Sequence, residues 1–232
     1  DSHRQATLRI RTDWTPRSLD DWGALGGIVG RLSNNYWQVP LVEGLEAAPT
    51  SDELKHFGAA MASFGSTALF HLLGITPEAP RLADVGGDKL AVTHRIGESD
   101  VIALKQSYRV DPSIDVVVFS APQLSIFELR DLAKLCNGKN FKRPLLAVTS
   151  PQVKPDCDRF GYTKVIEEAG GTVLSGMCFY QSYAREMSET KGWKRLATNS
   201  AKLVNILGGY GYVPMLASMH ACVQAAEMGE LQ

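Results

Sequence analysis

The amino-acid sequence predicts an α/β fold in which largely parallel sheets carry helices on both faces. Short apolar runs of strand length alternate with longer amphipathic stretches along nearly the whole chain. This alternation is typical of strand–helix–strand units joined by right-handed crossovers. Hydrophobic residues make up 44% of the 232 positions, which is enough apolar material for a real core.

The first elements are predicted from periodicity and capping. Residues 7–11 have the composition of a strand, and residues 19–32 carry apolar side chains at helical spacing. Glycines interleaved in that helix weaken it in isolation, but they permit close packing against a sheet or another helix. Residues 38–42 form a short strand, and Thr50-x-x-Glu53 has the spacing of a capping box that begins the next helix.

The same alternation continues to the end of the chain. The nearly unbroken apolar run at 67–73 predicts a strand buried on both faces. Ser125-x-x-Glu128 is a second capping box, and its helix extends to about residue 135. The remaining predicted elements are strands at 89–93, 116–119, 145–148, 172–174 and 212–215 and helices at 156–169, from about 200, and at 218–228. The polar segment 181–194 has little periodicity and is expected to be a surface excursion or lid.

One domain boundary is expected. Proline and glycine concentrate at 77–87, where the apolar pattern lapses. We therefore expect residues 1–80 to be an α/β segment that continues a domain whose start is missing from the chain. Residues 81–232 are expected to form an α/β domain with a binding site at its strand edge.

Charge and composition narrow the class of partner. The formal net charge is −1 and the basic residues are scattered, so neither nucleic acid nor an acidic membrane surface is an expected partner. No apolar run approaches the roughly 20 residues of a membrane-spanning helix, and the first residues contain no apolar signal core. We expect a cytoplasmic protein whose partners are small molecules or other protein chains.

The cysteines argue against a zinc ribbon or a disulfide scaffold. Cys136, Cys157, Cys178 and Cys222 are widely spaced and form no Cys-x-x-Cys pair. In a cytosolic protein they should be reduced. Most of them are expected to be small core residues, with Cys178 as the exception because it follows a predicted strand.

Ligands of open parallel sheets bind beyond the carboxyl ends of the strands, so polar residues at those places are the candidates for a site. Thr149 and Ser150 follow one strand, where their hydroxyls either bind an anion or simply cap a helix. Asn199, Ser200 and Lys202 surround the start of a helix and form the best anion-binding candidate. The alternative is an ordinary helix cap with a solvated lysine.

The strand at 67–73 offers an acid–base candidate. His71 lies within the strand and Glu78 follows it. Either side chain is a possible acid, base or hydrogen-bond donor in a cleft, but a histidine in an apolar run is more often a satisfied core residue. The sequence lacks Gly-x-Gly-x-x-Gly, Walker, Gly-x-Ser-x-Gly and His-Glu-x-x-His patterns, so nucleotide-dependent and simple hydrolase functions lose weight.

Several strings together resemble the large component of the aconitase X family. They are Glu43-Gly44-Leu45 leading into Thr50-Ser51-Asp52-Glu53-Leu54-Lys55, Phe70-His71-Leu72-Leu73-Gly74-Ile75-Thr76-Pro77-Glu78-Ala79-Pro80, Ser120-Ala121-Pro122-Gln123-Leu124-Ser125, and Thr198-Asn199-Ser200-Ala201-Lys202. Cys178 also matches a family cysteine. The strings occur in family order over nearly the whole chain.

The resemblance implies an aconitase-like fold and an iron–sulfur lyase that removes water from a hydroxylated carboxylic acid. Family activities include dehydration of cis-3-hydroxy-L-proline and of mevalonate 5-phosphate. On that pattern Cys178 is a metal ligand, and Asn199, Ser200, Lys202 and Thr149 bind the substrate or support the cluster. His71 and Ser150 are the candidate catalytic groups, and the catalytic base is otherwise unknown.

The resemblance also implies partners outside this chain. The family's large component has roughly as much chain again before the point that matches Gln5, and a small component completes the active site. We therefore expect a fragment that alone holds an incomplete ligand set for the cluster and does not turn over. Some relatives carry Cys and His where this chain has Ala121 and Gln123. That departure leaves a non-catalytic, aconitase-like binding subunit as the alternative.

Overall fold

A computed structural model of the chain describes residues 2–109 and 111–232, and they form two compact units. The first unit ends at Leu104 and the second begins at Lys105. Each unit is built on a parallel sheet covered on both faces, so the predicted α/β class is confirmed.

The first unit has a four-stranded sheet. Its strands are β1 (Leu8–Thr12), β2 (Pro40–Glu43), β3 (His71–Leu72) and β4 (Val92–Ile96). Its helices are α1 (Leu19–Ser33), α2 (Ser51–Gly65) and α3 (Glu98–Gln106), and the last two residues of α3 belong to the second unit. The strand order is β3-β2-β1-β4, with all neighbours parallel. A core that includes Trp22 and Phe57 packs α1 and α2 on one face. Two 3₁₀ turns, Leu82–Val85 and Gly87–Lys89, cover the other face.

Glycine allows α1 and α2 to approach closely, as the sequence predicts. A Cβ atom added at Gly26 would collide with the Phe57 carbonyl oxygen, and one added at Gly30 would collide with that of Met61. The helix–helix contact is therefore made by backbone on both sides. Thr50 begins α2 with the predicted capping box: its Oγ1 accepts from Glu53 N at 3.3 Å, and its own N donates to Glu53 Oε2 at 2.6 Å.

The second unit has a five-stranded sheet. Its strands are β5 (Val116–Leu124), β6 (Leu145–Thr149), β7 (Gly171–Ser175), β8 (Arg195–Thr198) and β9 (Val213–Leu216), and its helices are α4 (Ile126–Cys136), α5 (Lys154–Arg159), α6 (Tyr162–Glu168), α7 (Phe179–Ser182), α8 (Ala184–Lys191), α9 (Ala201–Leu207) and α10 (Met219–Met228). The order is β7-β6-β5-β8-β9, again all parallel.

Alternating residues of β5 give the second unit its two cores. Val117 and Phe119 face a core shared with α4, α5, α6 and α10. Val116 and Val118 face the opposite core, which includes side chains of α7, α8 and α9. Successive side chains of a strand point to opposite faces, so an apolar run without alternation is what a sheet covered on both sides requires.

Four sequence expectations need correction. The boundary expected after residue 80 falls inside the first unit, because β4 pairs with β1 in the same sheet. The strand expected at 67–73 is reduced to β3, since Ser66 has a left-handed backbone conformation and Leu69 is exposed.

The other two concern helices. The helix expected at 156–169 is divided into α5 and α6 by Gly161, whose φ is +79°. The segment 181–194 contains α8, whose Ala184 and Ser188 lie one turn apart and are buried. The Tyr212 hydroxyl donates to the Ala184 carbonyl at 2.8 Å, so this segment is packed against the sheet and is not a free excursion.

No helix among residues 2–109 and 111–232 is long and apolar enough to span a membrane.

Candidate active site

The strand order of the second unit creates a switch point between β5 and β8. From β5 the chain proceeds in one direction to β6 and β7, and it then returns to the other side of β5 for β8 and β9. Ligands of doubly wound sheets bind at the carboxyl ends of the two strands where the direction changes. Here those ends are Ser120–Leu124 of β5 and Thr198–Ser200 at the end of β8.

Ser200 joins the two strand ends. Its Oγ donates to the Ala121 carbonyl oxygen at 2.7 Å and accepts from Leu203 N at 3.1 Å, so it also caps α9. Ala121 lies in the left-handed region with φ 49° and precedes a cis peptide bond to Pro122. Ser200 is buried with both hydrogen-bonding roles used inside the protein. Its position therefore suits a residue that holds the site together.

Cys178 begins α7 beside the same strand end. Gln123 Nε2 donates to the Met177 carbonyl oxygen at 3.0 Å, and Phe179 N donates to Ser120 Oγ at 3.4 Å. Two residues of β5 thus hold the backbone on either side of Cys178. Gln123 lies near the end of β5, and the fold brings that strand end to the segment that carries the cysteine.

Cys178 differs from the other three cysteines in its surroundings. It is half-buried, whereas Cys136, Cys157 and Cys222 are fully buried. Burial raises the pKa of the Cys136 thiol to about 12 and also raises the pKa of Cys157. A thiol must lose its proton to bind metal or act as a nucleophile, so burial disfavours these roles for Cys136 and Cys157, and Cys222 is equally enclosed.

Aromatic and cationic side chains lie next to Cys178. Lys202 Nζ is 5.9 Å from the ring centroid of Tyr180, and the Tyr180 ring is 6.0 Å from that of Tyr210. Burial raises the pKa of the Tyr180 hydroxyl, and nearby Cys178 and Tyr210 raise it further. Lys202 forms no ion pair with a carboxylate in the described part of the chain. This half-buried ammonium is therefore free to meet an anion.

Asn199 lies between the end of β8 and the cap of α9. Only 4% of the residue is exposed. Within residues 2–109 and 111–232, its carboxamide forms no hydrogen bond. The polar atoms of Asn199 are not fully enclosed, so its carboxamide remains available to a ligand at the switch point.

Thr149 and Ser150 have structural contacts. Thr149 Oγ1 is buried and donates to the Leu124 carbonyl oxygen at 2.7 Å, which ties β6 to the end of β5. Ser150 Oγ accepts from Val153 N at 3.2 Å. Thr149 thus joins two strands, and Ser150 stabilises the turn ahead of α5, whose own N-cap, Val153, makes no side-chain cap bond.

His71 belongs to the first unit, in β3. Its side chain is buried, and Nε2 lies 2.7 Å from the Arg4 carbonyl oxygen. Nδ1 is enclosed and has no hydrogen-bond partner among the residues that the structure describes. This environment is that of a core histidine that anchors the segment leading into β1.

The donor set for a metal is small in this chain. In the described ranges, no three His, Cys, Asp or Glu side chains converge as a metal site would require. At the switch point Cys178 is the one cysteine whose exposure suits a ligand. The residues present therefore fit one ligand position of a metal group and not a complete set.

The structure adds residues that the sequence reading missed. Tyr180 contacts Lys202 and neighbours Cys178, but it carries no recognisable signal in the sequence. Ser120 and Gln123 hold the Cys178 backbone. An aromatic residue two positions after a cysteine is too common to be a signal, and the contacts of Ser120 and Gln123 span more than fifty residues of sequence.

Two family models together match nearly the whole chain. The model of the aconitase X second domain matches residues 6–106, and the model of the aconitase X third domain matches residues 114–228. These ranges agree with the division between the two units at Leu104.

Curated relatives and a solved structure are similar over the same span. The chain is 33% identical to the phosphomevalonate dehydratase large subunit of Thermococcus kodakarensis, over 97% of this chain and 56% of that relative. It is 32% identical to the cis-3-hydroxy-L-proline dehydratase of Pseudomonas aeruginosa, over 99% of this chain and 40% of that relative. The crystal structure of Thermococcus kodakaraensis aconitase X in its holo-form matches with a TM-score of 0.84 and 29% identity, covering 97% of this chain and 56% of that one. This chain thus spans about half the length of these relatives.

Proposed function

Because the chain belongs to the aconitase X family, we propose that it is part of a hydro-lyase that dehydrates a small hydroxylated carboxylic acid. The observation that carries this proposal is the convergence of Cys178, Asn199 and Lys202 on the switch point of the second unit. Both kinds of named relative are dehydratases.

The parent protein would contain more than this chain. The matched models describe second and third domains, and the relatives are about twice as long. We propose an N-terminal half of the large component and a small component as partners, in a cytoplasmic assembly. The 232-residue chain alone would neither hold a complete cluster nor turn over, and stoichiometric iron and sulfide on the isolated chain would contradict this.

Lys202 and Asn199 would bind the substrate carboxylate. In the described residues the Lys202 ammonium has no carboxylate partner, and the Asn199 carboxamide makes no hydrogen bond. Removing a proton next to a carboxylate builds negative charge on that group, which a fixed cation and a preorganised amide donor stabilise. Ser200 and Thr149 would act indirectly, by holding β8 and β6 to the end of β5. His71 and Ser150 are the weaker candidates for acid–base roles, and a base outside this chain is the better hypothesis.

Cys178 would supply one ligand to an iron–sulfur cluster, with the others contributed by the rest of the parent protein. Its half-exposed thiol and its place at the strand edge suit that role, which the three core cysteines cannot take. A bound cluster would provide a Lewis acid for the departing hydroxide. The Gln123 and Ser120 hydrogen bonds would orient Cys178 through its neighbours.

The preferred substrate in this proposal is cis-3-hydroxy-L-proline. The cation that contacts the cysteine-bearing segment is Lys202, which matches one carboxylate. The alternative is a phosphorylated hydroxy acid such as mevalonate 5-phosphate. Arg185 favours that alternative, because its guanidinium lies 5.7 Å from the Tyr210 ring and adds a second positive charge beyond Tyr180.

The test is an anaerobic dehydratase assay of the full-length large component with its small partner. Cis-3-hydroxy-L-proline and mevalonate 5-phosphate are offered in parallel. Turnover should be lost in Cys178→Ala and should survive in the matched core variant Cys136→Ala, because only Cys178 is available to metal. Lys202→Met should raise KM and lower kcat, with Lys134→Met, at an exposed position of α4, as the control.

Each outcome has a defined meaning. Turnover that survives Cys178→Ala would keep the enzyme class and remove this residue from the metal. Arg185→Gln should leave kcat/KM for hydroxyproline nearly unchanged but lower it for the phosphorylated acid. Absence of both turnover and cluster would support the non-catalytic binding subunit instead.

A further inference from the structure

The first unit carries an exposed aromatic groove at the amino-terminal edge of its sheet. We call it the amino-edge groove and define it by His3, Tyr36, Trp37, Val39 and Leu69, which line a cavity of about 370 Å³. Its residues lie just before β1, β2 and β3 in the chain. Ligands of open parallel sheets bind beyond the carboxyl ends of the strands, which is the opposite edge of this sheet from the groove.

The exposure in the groove is unusual for aromatic side chains. Trp37 is 72% exposed and Tyr36 is 59% exposed. The two rings meet edge to face at 5.1 Å, and the His3 ring lies 6.2 Å from Trp37. The cavity is also lined by Gln5, Thr7 and Ala68, and none of its eight lining residues is Asp, Glu, Lys or Arg. Tryptophan and tyrosine dominate the energetic centres of protein interfaces, where their large surfaces leave water.

Hydrogen bonds from backbone N–H groups hold the groove in shape. Trp37 N donates to Asn35 Oδ1 at 2.8 Å. Thr7 N donates to the Val39 carbonyl at 3.0 Å, and Val39 N donates to Thr7 Oγ1 at 2.9 Å. The segment that leads into β1 is therefore fixed beside Trp37. An aromatic surface that is already ordered loses little conformational entropy when a partner covers it.

We propose that the amino-edge groove docks the first domain of the aconitase X large component. This inference rests on the proposed function, in which the chain is part of a longer parent. The matched family models are those of the second and third domains, and the match begins at residue 6. A domain that precedes residue 6 in the parent protein is connected to this chain beside His3, which lines the groove. A short connection therefore keeps that domain at a high effective concentration at the groove.

The chemistry of the groove defines the docking surface of that domain. The uncharged lining requires apolar side chains from the partner, together with acceptors for the Trp37 indole N–H and the Tyr36 hydroxyl. It requires no compensating charge. Docking would bury the Trp37 side chain, a residue that is 72% exposed in this chain.

Hydroxyl-radical footprinting tests the proposal. The full-length large component, without its small partner, and the 232-residue chain receive matched radical doses, calibrated with an added reporter peptide. Tyr36 and Trp37 should be oxidised at least ~5-fold more slowly in the full-length protein, because interface aromatics become inaccessible to water.

Paired variants of the full-length protein extend the test. Trp37→Ser should weaken docking roughly 30-fold and restore oxidation of Tyr36, whereas Phe127→Ser, at an exposed aromatic of the second unit, should not. Since Trp37 is exposed in this chain, the substitution should leave the urea midpoint of the 232-residue chain unchanged.

Equal oxidation of Trp37 in the full-length protein and in the 232-residue chain would overturn the proposal. Protection that grows with the concentration of the 232-residue chain would overturn it in favour of a second copy. Footprints are read without turnover, so a protected groove in an inactive protein counts against the dehydratase proposal alone.

Discussion

Substituting Gly30 by alanine should destabilise the first unit, although alanine is the better helix former. Gly30 lies within α1 and faces the backbone of α2. An added Cβ would collide with the Met61 carbonyl oxygen and would lie 3.0 Å from the Met61 Cα. Because both obstacles are backbone atoms, no side-chain rotation relieves the clash, and the two helices have to separate.

The magnitude follows from two opposing effects. Replacing glycine by alanine in a helix interior stabilises by about 1 kcal/mol. Overpacking a close-packed core costs ~3 kcal/mol at the upper end of its usual range, which applies where backbone has to move. We therefore expect the free energy of unfolding to fall by roughly 2 kcal/mol, the difference between these two effects.

The assay is urea unfolding of the chain followed by tryptophan fluorescence, because buried Trp22 lies on α1 in the same core. Gly58→Ala is the matched control on α2, where an added Cβ would lie 3.4 Å from the Phe70 ring, an ordinary contact. This control should stabilise the first unit by up to about 1 kcal/mol. A Gly30→Ala protein that is as stable as the wild type, or more stable than Gly58→Ala, would refute the reasoning.

Three further predictions concern the second unit. An aromatic disulfide reagent should modify only the Cys178 thiol in the native chain, because the other three cysteines are buried. After denaturation it should modify all four thiols. A native Cys178→Ser chain that still reacts would contradict this prediction. Ser200→Ala should lower the free energy of unfolding by about 2 kcal/mol, because it removes both the α9 cap and the bond to the Ala121 carbonyl. The control Ser218→Ala removes only the cap of α10 and should lower it by about 1 kcal/mol. Equal losses in urea unfolding would show that the Ala121 contact does not contribute. Burial by itself raises the pKa of Asp115, but hydrogen bonds from the Arg195 side chain and from the Arg195 and Lys194 backbone outweigh it and lower the pKa to about 2. Because the pKa is lowered, the stabilisation by ionised Asp115 is complete above the ordinary value of 3.8 and is lost as the pH falls towards 2. Asp115→Asn should therefore lower the free energy of unfolding by ~1–3 kcal/mol at neutral pH and by a shrinking amount below pH 4. A difference between variant and wild type that does not change with pH would count against the ionised pair.

Local chemistry explains why the helix starts could be predicted. The capping boxes of Thr50 with Glu53 and of Ser125 with Glu128 both form in the structure. Each depends on groups three residues apart, so it is encoded within a single turn. Close packing of the glycine-rich helix α1 is also confirmed, since the absence of a Cβ is a property of the residue itself.

The strand at 67–73 shows where local reasoning fails. Its apolar composition predicts seven residues of strand, but only His71 and Leu72 pair with β2. Strand length depends on how far a neighbouring strand extends beside it, and that neighbour lies some thirty residues earlier in the chain. The domain boundary fails for the same reason, because the pairing of β4 with β1 joins the two ends of the first unit.

The candidate site divides in the same way. The string Thr198-Asn199-Ser200-Ala201-Lys202 and the isolated Cys178 are recognisable in the sequence because strand ends, helix caps and residue types are local properties. Which of these residues meet depends on strand order. The insertion of β5 between β6 and β8 brings Ala121 to Ser200, Gln123 to the Cys178 segment, and Tyr180 under Lys202. Such contacts join positions far apart in the chain, and hydrophobic burial on both faces of the sheet, which is non-directional and collective, selects the strand order that creates them.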